Sequence, residues 1–348
     1  MFIHLGALGA VVRSTALLRL IQQKYVNSEI TWVTSNPAKS LLSHHPRLKR
    51  VLATNTNDLL QLEALEFDHA FVIDKSLEAT GVLKRAKVLG EVLGFVSNSD
   101  GVIIPANSEA HELWELGLNN QKKFFENKKS ELQLMQESLK LPQLTSDYEL
   151  PLSDSEIRHS KERKLNWQSS SRSYVVGINT GCASTLPNKK LSVQNHRDLI
   201  QILLKSIDNI QIVLLGGPED TERNRLIAEN RDVICSPTEL GLRDGLCSIA
   251  ACDIIVSGDS LGMHMAISQK VPVVAWFGPT CSQEIELFGR GEKLLTSATC
   301  SPCWKRSCNE KVMCYDQMDL NLIKEAVHRQ LQQKQNRNQL SCSDSLSW

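Results

Sequence analysis

Residues 253–280, DIIVSGDSLGMHMAISQKVPVVAWFGPT, constrain the fold of this chain more than any other stretch. A β-branched run ends in a Gly-Asp-Ser turn at 258–260, an apolar stretch of helical length follows, and a second apolar run ends in a Gly-Pro-Thr turn at 278–280. This order predicts a strand, a helix and a second strand. Short, continuously apolar strands joined through a helix are typical of a parallel sheet buried on both faces, so the sequence predicts an α/β fold.

The polar residues that follow the first of these strands lie at a carboxyl end, where parallel sheets bind their ligands. A helix that begins at about Ser260 presents free backbone N–H groups and the positive end of its dipole, which suit a phosphate. Asp259 and Ser260 are also ordinary N-cap residues. The local sequence therefore supports a phosphate site and a helix cap equally well.

Composition narrows the class of protein. The 348 residues are 41% hydrophobic and 22% charged, which is typical of a globular protein with two domains. Lys plus Arg and Asp plus Glu number 39 each, so the formal net charge of zero gives no overall attraction to nucleic acid. No apolar run has membrane-spanning length and the first residues do not resemble a signal peptide, so we expect a cytoplasmic protein whose cysteines are mostly reduced.

Two successive sets of alternating strands and helices predict two domains. Residues 142–151 interrupt the alternation with two prolines and no periodicity, and we place the boundary there. The predicted domains are 1–150 and 151–333. A closing helix is expected over 320–331, and the Gln-, Asn- and Ser-rich residues 334–348 are expected to form a disordered tail. Two Rossmann-like, doubly wound domains that face each other across a cleft are the simplest architecture.

Three loops at strand ends of the second domain suit a diphosphate. Residues 180–190 contain hydroxyls, a glycine and two lysines, Gly216 and Gly217 follow the next strand, and the third loop is the turn at 258–262. The spacing of 180–190 is not that of a P-loop, which disfavours an ordinary NTPase, and the chain lacks the full dinucleotide fingerprint of a Rossmann dehydrogenase. Together the loops predict a nucleotide pocket.

The first domain has weaker signals. Asp74 follows the strand AFVI and is a candidate for the cleft, although a strand-terminal Asp is also a common helix or turn cap. The GALG segment at 6–9 permits a close backbone approach to a ligand, and tight packing explains it equally well. Lysines within 122–140 suit an anionic acceptor or a lipid surface, but the acidic residues between them favour a solvated face.

Four cysteines cluster in a Cys-rich loop, 300–314. They are Cys300, Cys303, Cys308 and Cys314. Four thiolates provide enough ligands for a tetrahedral structural zinc, although zinc ribbons usually separate their cysteine pairs by a longer span. Packed or paired thiols and an iron–sulfur cluster are the alternatives.

The order of the motifs resembles that of glycosyltransferase family 9, the ADP-heptose:lipopolysaccharide heptosyltransferases. GALGAVVRSTALL, AFVID, INTG with PNKKLS, LLGGPED, and GDSLGMHMA with AWFGPT follow one another over nearly the whole chain. The resemblance implies a GT-B fold with an acceptor-binding N-terminal half and a nucleotide-sugar-binding C-terminal half. It also implies an inverting, metal-independent transfer of a heptose or related sugar from an ADP-sugar, the co-substrate, to a lipopolysaccharide-type or other saccharide acceptor.

The resemblance and the strand-end loops together predict a set of donor-binding residues. They are Thr180, Gly181, Lys189, Gly216, Gly217, Asp259, Ser260, Gly262 and His264. In the family Lys189 corresponds to a phosphate-binding lysine, and the second donor loop usually reads D-T-G-x-x-H. Here that loop reads D-S-L-G-M-H, so Leu261 stands where the family has glycine. A core histidine is the structural alternative for His264.

One departure concerns the catalytic base. The first loop of the family usually reads G-x-x-G-D, and its Asp is taken to activate the acceptor hydroxyl, but this chain has Ala10. Inverting sugar transfer needs a group that takes the acceptor proton, and alanine cannot do so. Asp74, predicted as a substitute base, and His4 are best placed by strand position. The alternatives are a different acceptor, or a protein that binds a nucleotide-sugar without transferring it.

The resemblance also bears on partners and location. It implies a lipid-linked saccharide acceptor, and with it a peripheral association with the inner membrane through the N-terminal half. No cofactor beyond the ADP-sugar is required by this chemistry.

Overall fold

The computed structural model describes residues 1–169 and 172–344. The chain divides into two compact units. Unit 1 comprises Met1–Pro151 and Gln283–Glu286, and unit 2 comprises Leu152–Ser282 and Leu287–Trp348. Each unit is built on its own six-stranded sheet.

Unit 1 alternates strands and helices along the chain. Its strands are β1 (Phe2–Ile3), β2 (Ile30–Thr34), β3 (Leu48–Ala53), β4 (Glu66–Phe67), β5 (Ala70–Val72), β6 (Lys87–Val88), β7 (Val92–Ser97) and β8 (Ile103–Pro105). Its helices are α1 (Leu8–Ser14), α2 (Ala16–Lys24), α3 (Asn36–Leu41), α4 (Thr56–Glu63), α5 (Leu77–Arg85), α6 (His111–Leu116) and α7 (Glu131–Ser138). A π-helical turn, Lys122–Glu126, precedes α7 within the segment predicted as helical.

The sheet of unit 1 has the strand order β3-β2-β1-β5-β7-β8. All neighbours are parallel except β7 and β8, which are antiparallel. The chain moves from the central β1 to one edge through β2 and β3 and then returns to the other side of β1 at β5. The carboxyl ends of β1 and β5 therefore form a topological switch point, where doubly wound sheets bind ligands.

Unit 2 has the same alternation. Its strands are β9 (Tyr174–Asn179), β10 (Ile210–Leu215), β11 (Ile234–Cys235), β12 (Ile254–Gly258), β13 (Val273–Phe277) and β14 (Gly291–Leu295). Its helices are α8 (Asp154–Trp167), α9 (Val193–Ser206), α10 (Thr221–Ala228), α11 (Leu242–Ala250), α12 (Leu261–Ser268) and α13 (Leu320–Asp344).

The sheet of unit 2 is entirely parallel, with the order β11-β10-β9-β12-β13-β14 and a switch point between β9 and β12. All five residues of β12 are buried, because helices cover both faces of the sheet. In α9 the buried residues Leu199, Ile200 and Leu203 recur at helical spacing and pack on the same core as Val256. Fully burying each such side chain is worth about 1.5–3 kcal/mol, so this layer holds the switch point rigidly.

The last helix differs from the sequence-based expectation. α13 runs from Leu320 to Asp344, so residues 334–344 of the expected disordered tail are helical, and residues 345–348 lie outside the described part of the chain. Ile323 and Val327 are completely buried against the unit 2 core. Gln, Lys and Arg are good helix formers, so an anchored first half lets the polar second half continue. Across the described residues, none of the helices is long and apolar enough to cross a membrane.

A buried carboxylate ties α13 to the rest of unit 2. Asp253 accepts hydrogen bonds from Lys164 of α8, from Lys334 of α13 and, at 2.8 Å, from the backbone N–H of Val175. Burial acts to raise the pKa of Asp253, but the two lysines and the backbone donor outweigh it, and the net pKa lies below the ordinary value. The ionised carboxylate therefore contributes stability.

Replacing Asp253 by asparagine is expected to lower the free energy of unfolding at neutral pH by about 2 kcal/mol, because two lysines lose their common partner. Since the folded-state pKa is depressed, this contribution is present above about pH 4 and is lost as the pH falls through the folded-state value. Urea unfolding of both proteins at neutral pH and under acid tests this. The control Asp232→Asn removes an exposed carboxylate and should change stability by less than about 0.5 kcal/mol. An equal loss in both variants, or a loss that persists under acid, would contradict the assignment.

Candidate active site

The predicted donor-binding residues of unit 2 lie around its switch point. β9 and β12 run parallel with Ser257 opposite Asn179, so the loops that follow them begin side by side. The first loop begins at Thr180 and the second at Asp259. The structure thus brings together two loops that are about 80 residues apart in the chain, at the place where parallel sheets bind ligands.

A buried amide, Asn179, joins the two loops. Its Nδ2 donates to the Gly181 carbonyl oxygen at 2.9 Å and lies 2.9 Å from Ser260 Oγ and 3.3 Å from Ser257 Oγ. Gly262 packs on the same side chain, because a Cβ there would lie only 2.7 Å from Asn179 Oδ1. Asn179 is absent from the residues predicted from the sequence. A polar residue that ends an otherwise apolar strand was the available signal.

The N-terminus of α12 follows the second loop directly. Ser260 occupies the N-cap position, but its side chain makes no capping hydrogen bond, because its hydroxyl is held by Asn179. The interpretation of Ser260 as an ordinary cap therefore does not apply to its side chain. The backbone N–H groups of the first turn, which begins at Leu261, remain suited to an anion.

Asp259 is the electrostatic centre of this loop. Its carboxylate lies 3.4 Å from Lys189 Nζ and 3.7 Å from His264 Nε2, and it is 9% exposed. Burial acts to raise the pKa of Asp259, but the contact with His264 and the charge of Lys189 hold the pKa well below its usual range. Asp259 is therefore ionised and positions two side chains, one of which, Lys189, is cationic.

The backbone of Lys189 is fixed from two sides. Its carbonyl oxygen accepts a hydrogen bond from the indole Nε1–H of the buried Trp276 at 3.0 Å. The α-carbon of Gly258 lies against the same carbonyl, since a Cβ at this position would be 2.2 Å from the oxygen. The strands β12 and β13 thus hold the lysine of the first loop beside the carboxylate of the second.

The side chain of Thr180 makes hydrogen bonds within unit 2. It is fully buried, and its hydroxyl donates to Asn224 of α10 and approaches the Leu215 carbonyl oxygen at 3.3 Å. The hydroxyl therefore positions the first loop and is not turned toward a ligand.

Gly181 of the first loop, and Gly216 and Gly217 of the loop that follows β10, lie close to a second buried carboxylate, Asp220. A Cβ on Gly181 would fall 1.8 Å from Asp220 Oδ2, and one on Gly216 would fall 2.7 Å from Asp220 Cβ. The Gly217 N–H donates to the same Oδ2 at 3.1 Å. Burial raises the pKa of Asp220. This residue was quoted within the LLGGPED motif but not predicted as part of the site.

The switch point of unit 1 brings His4 and Asp74 together. Ile3 of β1 is paired with Val72 of β5, so the residues just beyond them are neighbours. Asp74 Oδ1 lies 3.6 Å from His4 Nε2, and Asp74 Oδ2 accepts a hydrogen bond from the backbone N–H of Leu5. Their side chains are 7% and 13% exposed, respectively. The cap of α5 is Ser76, whose hydroxyl accepts the Ala79 N–H, so Asp74 is not the helix cap that the sequence allowed.

Charged residues of α1 and α7 lie close to this pair. Arg13 Nη2 forms a 2.5 Å ion pair with Glu131, and the electrostatic interactions of His4 include both groups. Lys75 donates to the Leu113 carbonyl oxygen at 2.8 Å. Ala10, in the middle of α1, offers no proton acceptor.

The lysines of the 122–140 segment are engaged with acidic neighbours. Lys122 lies 2.6 Å from Glu115, and Lys129 lies 2.7 Å from Glu112 and 2.8 Å from Glu137. Partly exposed ion pairs of this kind are typical of a solvated face.

The predicted zinc site is not supported. Among residues 1–169 and 172–344, no group of three or more His, Cys, Asp or Glu side chains is placed to hold a metal ion. Cys314 is buried beside Gly278, whereas Cys300 is exposed, and the described cysteines are free thiols. Burial and then the neighbouring thiols raise the pKa of Cys314 to about 11. The Cys-rich loop instead rests on the Gly-Pro-Thr turn, where Cys303 donates its backbone N–H to Pro279 at 3.0 Å.

Two Rossmann-like, doubly wound units give this chain the GT-B fold predicted from its sequence. Solved structures that share it include the following three. The glycosyltransferase of family 9 from Veillonella parvula DSM 2008 is 15% identical, with a TM-score of 0.75 over 95% of this chain and 96% of that one. E. coli ADP-heptose LPS heptosyltransferase II is 20% identical, with a TM-score of 0.68 over 96% of this chain and 98% of that one. E. coli heptosyltransferase WaaC with ADP-2-deoxy-2-fluoro heptose is 18% identical, with a TM-score of 0.64 over 94% of this chain and 98% of that one.

The family is shown by the sequence. The model of glycosyltransferase family 9 (heptosyltransferase) matches residues 61–314, which is well over half of the chain. The protein belongs to this family, and the prediction made from the order of its motifs is confirmed. No match was found among curated proteins.

Proposed function

We propose that this protein moves a heptose, or a closely related sugar, from an ADP-sugar to a saccharide acceptor with inversion at the anomeric carbon. The donor half-site of unit 2 carries the proposal. There Lys189, positioned by the ionised Asp259, and the N-terminus of α12 lie at one switch point. The relative WaaC was solved with an ADP-heptose analogue, which favours ADP as the nucleotide and heptose as the sugar.

The proposed chemistry places negative charge where this half-site can stabilise it. The acceptor oxygen forms a bond to the anomeric carbon while the bond from that carbon to the ADP oxygen breaks. The electron pair leaves with ADP, so charge develops on the diphosphate. Lys189 and the backbone N–H groups of α12 compensate that charge as it forms. Transfer then needs no metal ion to assist the leaving group.

The acceptor-activating group belongs to unit 1 in this proposal. Ala10 cannot take a proton, so we place the pair of Asp74 and His4 in the role of the missing carboxylate. The acceptor we propose is a lipid-linked saccharide of the lipopolysaccharide type, reached at the inner-membrane surface.

A second candidate function is favoured by Ala10 itself. A family member that has lost its base but kept Lys189, Asp259 and His264 would bind a nucleotide-sugar without transferring it. The substitution Ala10→Asp separates the two. A large gain in transfer rate indicates a degenerate site, whereas loss of a native rate indicates that this chain uses another base.

Calorimetric titration with ADP, UDP, GDP and ADP-heptose, followed by a transfer assay, tests the proposed function. We expect the wild-type protein to select ADP and Asp259→Ala to lose it, because the substitution frees Lys189 from its partner. The control Asp208→Ala removes an exposed carboxylate of the same unit and should bind as the wild type does. Equal binding of all nucleotides, or full ADP binding by Asp259→Ala, would refute the donor site. ADP binding without transfer to a deacylated lipopolysaccharide core would favour the second candidate.

Removal of metals is expected to leave transfer unchanged. Initial rates measured with and without EDTA should agree within about 2-fold, because Lys189 and α12 supply the positive charge. Full loss of transfer in EDTA that added Mg²⁺, Zn²⁺ or Fe²⁺ restores would contradict this part of the proposal.

A further inference from the structure

The side chain of His4 is held by a hydrogen bond that sets its tautomer. His4 Nδ1 lies 2.7 Å from the Oγ of Ser14 in α1. Ser14 donates its hydroxyl hydrogen to the Val11 carbonyl oxygen at 2.9 Å, one turn earlier in the same helix. A serine hydroxyl has a single hydrogen, so toward His4 it acts as an acceptor. The hydrogen of a neutral His4 ring is therefore on Nδ1, and Nε2 carries a lone pair.

The lone pair of His4 faces a carboxylate. Asp74 Oδ1 is 3.6 Å from Nε2, which is too long for a hydrogen bond and leaves the neutral pair unmatched. A proton on Nε2 would point at this oxygen and turn the contact into an ion pair. Asp74 cannot easily turn away, because Oδ2 is held by the Leu5 N–H. Asp74 thus stabilises the imidazolium that forms once the ring has taken a proton, as a general base requires.

Burial keeps the His4 ring neutral until a proton arrives. Burial lowers the pKa of His4, Asp74 and Glu131 act to raise it, and Arg13 acts to lower it. Asp74 lies just beyond the end of β5, Glu131 lies on α7 and Arg13 lies on α1. The net direction is downward, so at neutral pH the resting ring can accept a proton.

Gly6 leaves this pair open on one side. A Cβ at Gly6 would lie 3.0 Å from both His4 Nε2 and Asp74 Oδ1, so only a hydrogen atom covers the gap between them. Gly6 is itself partly exposed, and the next residue, Ala7, is exposed. A hydroxyl can therefore approach Nε2 beside Gly6, where any larger residue would close the way.

We propose that His4 Nε2 takes the proton of the acceptor hydroxyl, with Asp74 and Ser14 as positioning residues. This rests on the proposed sugar transfer. The acceptor O–H bond breaks, its proton passes to Nε2, and the oxygen bonds to the anomeric carbon as ADP leaves with the electron pair of the old bond. Ser14 keeps Nε2 free for the proton, and Asp74 stabilises the imidazolium until the proton passes to water. The pair replaces the carboxylate that Ala10 lacks.

Single-turnover transfer from ADP-heptose to a deacylated lipopolysaccharide core tests the inference. His4→Gln should lower the rate about 1000-fold and Asp74→Asn about 100-fold, with ADP-heptose affinity unchanged. Ser14→Ala should lower it about 10-fold. His328→Gln, on an exposed residue of α13, is the control and should retain the wild-type rate.

Two measurements distinguish a catalytic role of His4 from a purely structural one. The acid limb of the pH–rate profile should move to lower pH in Asp74→Asn, because the carboxylate that raises the pKa of His4 is gone. Imidazole ¹⁵N NMR of the wild type should show the hydrogen of His4 on Nδ1, and Ser14→Ala should lose that preference. The NMR result does not depend on whether His4→Gln folds.

The possible results distinguish failure of the role proposed for His4 from failure of the proposed sugar transfer. Transfer by the wild type with an undiminished rate in folded His4→Gln overturns the role of His4 and leaves the function intact. A hydrogen on Nε2 in the wild type, or an unmoved acid limb in Asp74→Asn, also overturns it. A wild type that binds ADP-heptose but transfers nothing overturns the proposed function, and the inference with it.

Discussion

Replacing Lys189 by methionine is expected to raise the dissociation constant of ADP about 100-fold and to lower kcat/KM for transfer further. The Lys189 side chain is 16% exposed, and its ammonium group lies 3.4 Å from an ionised carboxylate that positions it. In such a partly buried site its bond to a diphosphate is weakly screened, and the bond strengthens as charge develops on the leaving group. Calorimetry with ADP and initial-rate kinetics with ADP-heptose measure the two effects.

The adjacent lysine provides the control. Lys190→Met removes the same charge one residue away, without the contact to Asp259, and should weaken ADP binding by no more than about 5-fold. Thermal unfolding of both variants checks that the fold is retained. Equal losses in the two variants would mean that only general electrostatic attraction is at work. Unchanged ADP affinity in Lys189→Met would remove this lysine from the site.

Replacing Gly258 by alanine is expected to lower the free energy of unfolding of unit 2 by about 3 kcal/mol or more, and to abolish measurable ADP binding. The added Cβ would lie 2.2 Å from the Lys189 carbonyl oxygen and 2.8 Å from Trp276 Nε1. The carbonyl oxygen is a backbone atom, and Nε1 belongs to a ring that is 2% exposed, so neither atom can move away easily. Separating them breaks their 3.0 Å hydrogen bond and moves Lys189 away from Asp259.

A second glycine of the same unit is the matched control. Gly245 lies inside α11, and a Cβ there would meet nothing within 4 Å. Gly245→Ala should therefore be neutral or stabilising by about 0.5–1 kcal/mol, because alanine is the better helix former. Urea unfolding and ADP titration of both variants make the comparison. If Gly258→Ala is as stable as Gly245→Ala, the close approach of β12 to the Lys189 loop is refuted.

The strands were the most predictable part of the fold. The β-branched and apolar runs within residues 253–280 predicted two strands, and these are β12 and β13. Helices whose polar sequence gives no boundary were less predictable. The 122–140 segment contains a π-helical turn before α7, and α13 continues to Asp344, because packing of one part of a helix determines whether the rest forms.

The position of the candidate site could be predicted from the sequence, but the hydrogen-bond partners of its residues could not. Strand-end loops with glycines, hydroxyls and lysines predicted a site that corresponds in position to the switch point of unit 2. The roles within it depend on partners far away in the chain. Thr180 turns its hydroxyl to Asn224, Asn179 bridges to Ser260 across 81 residues, and Asp220 fills the space that Gly181 leaves.

The sequence alone determined the α/β class, the division into two doubly wound halves, the family and the position of the glycine- and hydroxyl-containing loops at strand ends of unit 2. These follow from local signals, namely hydrophobic period, turn residues and motif order. Only the tertiary structure decided which polar groups are hydrogen-bonded within the fold, that the Cys-rich loop forms no metal site among the described residues, and that His4 lies between Asp74 and Ser14. Those properties depend on burial and on contacts between residues distant in the chain, which no local pattern records.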